Sequence, residues 1–289
     1  MRYAYYPGCS LKSVAVEYDA ALKAVCEKLG VTLDEIDDWA CCGATPAHAV
    51  DRFLSVALPA RNLATAQKAG NDVMVACAAC YNRMKVANHE IATDGALRKE
   101  VNEALGTDYD GGVKVLHLIE VLVNGIGIDK LKERVTKRLD GLKVACYYGC
   151  LLLRPPKVMH FDDPENPTSM DRLIEVTGAV PISWEFKTEC CGAAMGIART
   201  DIVHKLCGRI LSDAKNRGAE MIAVACPLCQ SNLDLRQSDV EKDLSREFRL
   251  PVLYFVQVLG LALGIDAKSL GLDKLIVDPI PLLTQKGVI

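Results

Sequence analysis

Thiols dominate the chemistry open to this chain: it carries 13 cysteines, and ten of them fall into one pattern used twice. Cys9, preceded by Gly8, is followed after 31 residues by Cys41-Cys42-Gly43 and then, 34 residues beyond Cys42, by Cys77-x-x-Cys80. Cys150, preceded by Gly149, is followed after 39 residues by Cys190-Cys191-Gly192 and, again 34 residues on, by Cys226-x-x-Cys229. The second half repeats the first with eight residues inserted, which marks an internal duplication. A redox disulfide of the Cys-x-x-Cys type would fit one such pair and leave the other three thiols of a half unexplained. A structural zinc closes its tetrahedron with four ligands, so five overfill it. An ordinary iron–sulfur cluster also takes four cysteines, typically in Cys-x-x-Cys-x-x-Cys runs that are missing here. Five thiols with an adjacent pair need an acceptor with more than four protein-facing positions, or one ligand that exchanges. Neighbouring side chains in a loop diverge. Cys41 and Cys42 would therefore most easily reach different metal atoms of one extended cluster, with Gly43 letting the backbone come close.

Positioning these thiols falls to alternating strands and helices. Short apolar or β-branched runs at 3–6, 73–76, 113–116, 144–148, 180–184 and 222–225 read as buried strands. Residues 16–29, stopped by Gly30, and 201–217, stopped by Gly218, show helical periodicity with a glycine just past the end. Each Cys-x-x-Cys follows a strand and opens a helical stretch (77–89 and 226–236), which puts its thiols beside helix N-terminal N–H groups that favour thiolate. The pattern predicts an α/β architecture of two similar lobes related by a pseudo-two-fold axis, residues 1–140 and 141–289, with 129–140 a helix leading into the second. The neighbouring sequence keeps the same register: Val73 to Cys77 matches Ile222 to Cys226, and Val115 to Leu122 matches Val252 to Leu259. Cys26 and Cys207 sit within helical patterns and read as small buried residues. Cys146 lies four residues before Cys150 and could replace it as a ligand, but the Gly-Cys match favours Cys150.

Composition narrows the partners. With 34 Lys and Arg against 37 Asp and Glu, the net charge of −3 gives no basic excess for nucleic acid and no polybasic segment for a membrane surface. The longest apolar run, 252–264, falls short of the roughly 20 residues of a membrane span and reads as a buried helix. The N-terminal residues lack a signal-peptide pattern, so a reducing cytoplasm is the expected compartment, where many cysteines point to metal or redox chemistry rather than bridges. No nucleotide-binding glycine motif is present. His48, His89, His117, His160 and His204 have no ligand-type spacing, whereas Arg154, Lys157 and His160, near Cys150, could offer cations to an anionic substrate or simply decorate a surface loop. The proline-punctuated stretch 272–289 reads as an extended arm, packed on its own body or on a partner.

Two copies of Cys…Cys-Cys-Gly…Cys-x-x-Cys are the hallmark of the cysteine-rich CCG domain, and the whole chain resembles the B-type subunit of heterodisulfide reductase. Residues 147–150 (Tyr-Tyr-Gly-Cys), 154–156 (Arg-Pro-Pro), 161–167 (Phe-Asp-Asp-Pro-Glu-Asn-Pro), 190–193 (Cys-Cys-Gly-Ala) and 225–230 (Ala-Cys-Pro-Leu-Cys-Gln) are very similar to that family. The resemblance implies two noncubane [4Fe-4S] clusters, one held by Cys9, Cys41, Cys42, Cys77 and Cys80, the other by Cys150, Cys190, Cys191, Cys226 and Cys229. It implies a common cleft between them in which a disulfide, that of coenzyme M and coenzyme B in methanogens, is reduced to two thiols; because clusters deliver electrons singly, cleavage with one sulfur taken by each cluster is the expected course. It further implies electron delivery from an iron–sulfur subunit, linked to a flavin-bearing subunit of the same heterodisulfide reductase complex, and in some complexes to a hydrogenase or dehydrogenase module. A relay subunit of a larger redox complex acting on another substrate is the competing expectation, and a zinc-stabilised binding module is disfavoured by the five-cysteine count.

Overall fold

The computed structural model describes residues 1–44 and 46–289. Two parallel four-stranded sheets form its frame. The first holds β1 (Arg2–Tyr6), β2 (Thr32–Glu35), β3 (Val73–Val75) and β4 (Val115–His117) in the order β2-β1-β3-β4. The second holds β5 (Lys143–Tyr147), β6 (Val180–Pro181), β7 (Met221–Val224) and β8 (Val252–Tyr254) in the order β6-β5-β7-β8. The register repeats as well as the order: Tyr6 pairs with Val75 and Val75 with His117, just as Tyr147 pairs with Val224 and Val224 with Tyr254. Both sheets are covered by helices, and their central strands β3 and β7 are buried throughout, which is why these runs are continuously apolar.

The lobes pack reciprocally, as a two-fold relation requires. The helix Val16–Lys28, which follows the first strand of one lobe, packs on Phe255–Ala262, which follows the fourth strand of the other. Ser169–Val176 makes the matching contact with Leu118–Glu120. At the first of these contacts the rings of Tyr18 and Tyr254 stack, with centroids 3.9 Å apart. Both fourth strands end in a related device: His117 and Glu120 form reciprocal caps on the helix that follows, and after β8 Gln257 accepts from the Tyr254 N–H at 2.9 Å.

Several expectations need correction. The run 252–264 is strand β8 followed by a helix, not one helix: it is apolar all round because it is buried on every side between the lobes, so periodicity carried no signal. Strand β2 went unrecognised because its residues, Thr-Leu-Asp-Glu, lie on an edge and are partly exposed, with no apolar alternation. The boundary helix stops at Arg134 rather than running to 140, since Thr136 and Lys137 donate their N–H groups to the Ala262 carbonyl of the second lobe. The C-terminal stretch packs on its own body: it contains a helix, Ile280–Gln285, buries Leu283 and Val288, and anchors Lys286 to Glu220 at 2.7 Å.

Candidate functional site

The ten repeated cysteines all follow the C-terminal ends of the parallel strands, the place where loops of an open α/β sheet build ligand sites. Left-handed glycines make this approach sterically feasible. Gly8 (φ +68°) and Gly149 (φ +66°) precede Cys9 and Cys150, and a Cβ there would come within 3.1 Å of Cys80 Sγ and 3.3 Å of Cys229 Sγ. The adjacent pairs are braced from the sheet, because the Tyr6 hydroxyl donates to the Ala40 carbonyl at 2.8 Å and the equivalent Tyr147 hydroxyl to the Glu189 carbonyl at 2.6 Å. In the first lobe the buried Asn62 adds a second brace, accepting from Ala40 N–H at 2.8 Å and donating to its carbonyl at 3.0 Å.

Within each lobe the thiols touch. Cys42 and Cys80 are 3.2 Å apart and Cys191 and Cys229 3.5 Å, while Cys150 hydrogen-bonds Cys190 and Cys41 hydrogen-bonds Cys42. Across the lobes, Cys77 and Cys226 lie close enough to act on each other electrostatically, so the two sets adjoin at the pseudo-two-fold axis. Interaction among the thiols leaves Cys42, Cys226 and Cys190 below the ordinary thiol range, Cys190 at about 6 beside Cys150 and the Gly192 N–H, and raises Cys41, Cys77, Cys80, Cys150 and Cys229, so of the four Cys-x-x-Cys thiols Cys226 alone favours thiolate. The three unmatched cysteines stay out. Burial pushes Cys26 up to about 12 within its helix, raises Cys146 inside β5, and raises Cys207, whose thiol reaches only the Cys191 carbonyl. Among the described residues, no group of three or more His, Cys, Asp or Glu side chains is arranged to hold a single metal ion.

A cavity of about 380 Å³ opens on this cluster. Its lining includes all five cysteines of the second set, while the first lobe contributes Ala78, Ala79 and Arg83 from the helix Ala78–Thr93, Ala44, which follows Gly43, and His48 and Ala49 from the short helix Pro46–Val50. Among the described lining residues Arg83 is the sole permanently charged one. Its Nε and one Nη donate to Oδ1 of Asn82. Asn82, fully buried, in turn donates to the Leu151 carbonyl at 3.1 Å and the Arg154 carbonyl at 2.7 Å in the other lobe. The longer connection that follows Cys150 thus clasps the two lobes. Its short helix Pro156–Met159 packs on Ala78–Thr93, and the Phe161 ring meets Tyr81 edge-on at 6.1 Å and His117 at 6.0 Å.

That arrangement decides between the two readings of the connection's cations. Arg154, Lys157 and His160 do not line the cavity, and Arg154 is spent on Glu165 and the Thr188 carbonyl. Sequence reasoning passed over Arg83, although its place three residues after Cys80 on one helix face was a usable signal. His48 does reach the cavity wall, His204 contacts Asp243 at 2.6 Å, and His117 is buried beneath the thiols with Nε2 2.8 Å from the Ala76 carbonyl. Burial holds the imidazole of His117 at a pKa of about 4, hence neutral.

Comparison with known proteins supplies independent findings. The cysteine-rich domain family CCG matches residues 3–85 and again 144–234. Over 283 residues, 97% of this chain and 98% of the relative, the sequence is 35% identical to the 8-methylmenaquinol:fumarate reductase membrane anchor subunit of Wolinella succinogenes. It is 32% identical to the B-type subunit of the ferredoxin/F420H2-dependent CoB-CoM heterodisulfide reductase of Methanosarcina acetivorans, over 97% of this chain and 95% of that one. A crystal structure of a hypothetical protein from Helicobacter pylori shares the fold, with a TM-score of 0.76 at 12% identity, over 96% of this chain and 52% of that one. Among the described residues no helix is long and apolar enough to cross a membrane.

Proposed function

Because the chain belongs to the family built on the cysteine-rich CCG domain, here present twice, we propose that it is the disulfide-reducing subunit of a heterodisulfide reductase-type complex. The halves 1–140 and 141–289 would each hold one noncubane [4Fe-4S] cluster, through Cys9, Cys41, Cys42, Cys77 and Cys80 and through Cys150, Cys190, Cys191, Cys226 and Cys229. One observation carries the reading: these ten thiols, and none of the other three, lie in the loops and helix starts after the strand ends, where Cys42 meets Cys80 and Cys191 meets Cys229. An all-thiol donor set suits iron–sulfur clusters, and the cradle is sterically reserved, since a Cβ on Gly8 or Gly149 would intrude on it.

The reaction is RSSR′ + 2 e⁻ + 2 H⁺ → RSH + R′SH, with the clusters, when bound, supplying the two electrons singly. The remaining work falls to the chain itself. Ala78, Ala79, Leu151 and Leu228 present an apolar wall that keeps water from the sulfurs. The first-turn N–H groups of Ala78–Thr93 and Pro227–Gln230 favour the negative charge that develops as the S–S bond breaks. The substrate is the coenzyme M–coenzyme B heterodisulfide where the host makes those coenzymes, and another small disulfide where it does not. Electrons would come from the iron–sulfur and flavin-bearing subunits of such a complex, with or without a hydrogenase or dehydrogenase module, in the cytoplasm.

The relative named as a subunit of a methylmenaquinol:fumarate reductase favours a second reading, an electron relay in a complex whose substrate lies elsewhere. One anaerobic preparation tests both. Iron and acid-labile sulfide should each approach roughly eight per chain, with negligible zinc; one zinc per half in their place would overturn the cluster assignment. The reduced protein, mixed with a heterodisulfide, should then be reoxidised with release of two thiols, whereas a pure relay would stay reduced.

A further inference from the structure

The two lobes differ at one corresponding position, and the difference lies at the cavity. Three residues after the last cysteine of each set, the first lobe has Arg83 and the second has Asn232. Asn232 is buried and neutral, its amide donating to the Cys191 carbonyl at 3.0 Å and lying 3.7 Å from Cys191 Sγ. Arg83 is half-buried, lines the cavity, lies within the electrostatic reach of Cys42 and, more weakly, of Glu90, whose salt bridge is with Arg52, and makes no salt bridge of its own among the described residues. Its guanidinium is not loose: Asn82 holds it, and Asn82 is itself held by two carbonyls of the opposite lobe. No carboxylate side chain is among the described residues lining the cavity. A fixed, unpaired guanidinium at the edge of an apolar wall is the arrangement that recognises a planar or tetrahedral oxyanion.

We infer that Arg83 is a specificity-determining residue that receives an anionic group, a sulfonate, phosphate or carboxylate, on one arm of the disulfide. That arm lies against the first lobe, and the other arm, without a matching cation, lies along the apolar wall of the second. The inference rests on the disulfide-reducing reading for its substrate. The charge asymmetry of the cavity comes from Arg83 standing where the second lobe has Asn232, and it would orient an unsymmetrical disulfide in one direction.

The test uses non-reducible probes, so that binding is read apart from turnover: 2-(methylthio)ethanesulfonate and its neutral counterpart 2-(methylthio)ethanol, titrated calorimetrically into the anaerobic, cluster-loaded protein. The unaltered protein should prefer the sulfonate by about tenfold or more, the value of a charge-assisted contact. Arg83→Gln should bring the ratio near one, and Arg83→Lys should keep an intermediate preference, which also shows that the site tolerates substitution. Iron content and melting temperature, measured on the same samples, establish that both variants are folded and loaded. A sulfonate preference that survives Arg83→Gln in a folded, loaded protein overturns the inference, as does a cluster potential that shifts in the variant while the preference stays. Reduction of bis(2-sulfoethyl) disulfide is followed separately. A preference that tracks Arg83 in a protein reducing no disulfide upholds the anion site and overturns the reductase reading. Reduction without any dependence on Arg83 does the reverse.

Discussion

Replacing Asn82 with leucine should loosen the clasp between the lobes, and the structure sets the size of the effect. The side chain is fully buried, and its amide is the donor to the carbonyls of Leu151 and Arg154, at 3.1 and 2.7 Å. Leucine keeps the branched shape but is larger, so some overpacking strain joins the main effect, which is that two carbonyls lose their donor. An orphaned buried polar group costs about 1–3 kcal/mol. The bonds lie at a partly buried site, so water can recover some of that, and the expected loss is about 3 kcal/mol for the pair. Asn82→Asp isolates the cause, because it keeps an acceptor for Arg83 while turning the donor into a second acceptor aimed at two carbonyls, and it should destabilise at least as much. Denaturant unfolding of anaerobic protein at matched iron content gives the stability difference. Hydrogen exchange should accelerate across 151–161 while β1 and β3 keep their protection. A loss below about 0.5 kcal/mol, with exchange in that segment unchanged, would refute the clasp.

Two further outcomes follow from the same geometry. Cys146→Ala should leave the iron content intact at a stability cost of about 1 kcal/mol for the lost buried sulfur, whereas Cys150→Ala should halve the iron, because Cys146 is fully buried inside β5 and Cys150 lies at the cavity; the reverse pattern would exchange their roles. His117, buried and neutral with its pKa near 4 against an ordinary 6.5, ties stability to acid. Between those values the unfolded chain takes up a proton that the folded chain refuses, so its contribution is whole above pH 6.5 and is lost as the pH falls toward 4, to a total of about 3 kcal/mol. Unfolding measured across that window should show a shallower acid loss in His117→Gln than in the unaltered protein, and equal slopes would remove His117 from the account.

Much of the site was legible in the residues themselves. Thiol positions repeated with the same Gly-Cys and Cys-Cys-Gly punctuation picked out the ten cysteines that the structure places after the strand ends, apart from Cys26, Cys146 and Cys207, because the duplicated unit keeps these loops at set separations from its strands. The α/β alternation and the duplicated register were equally visible, since buried parallel strands are continuously apolar and their helices end in glycine. What escaped was whatever depends on the other lobe or carries no apolar pattern of its own. The break between β8 and its helix lies in a stretch buried on every side, and β2 is a polar edge strand, so neither carries a periodic signal.

Local sequence therefore determined where along each lobe the repeated thiols stand: that information is encoded within one duplicated unit, matched twice, at 3–85 and 144–234. Only the tertiary structure decided which lone cation faces the cavity. Spacing alone left Arg154 available as that cation, yet Glu165 and the Thr188 carbonyl occupy it, while Arg83 is turned inward by an asparagine whose own partners lie 69 and 72 residues away in the other lobe. Contacts of that kind arise from how two sheets are docked. No periodicity within either half records the docking.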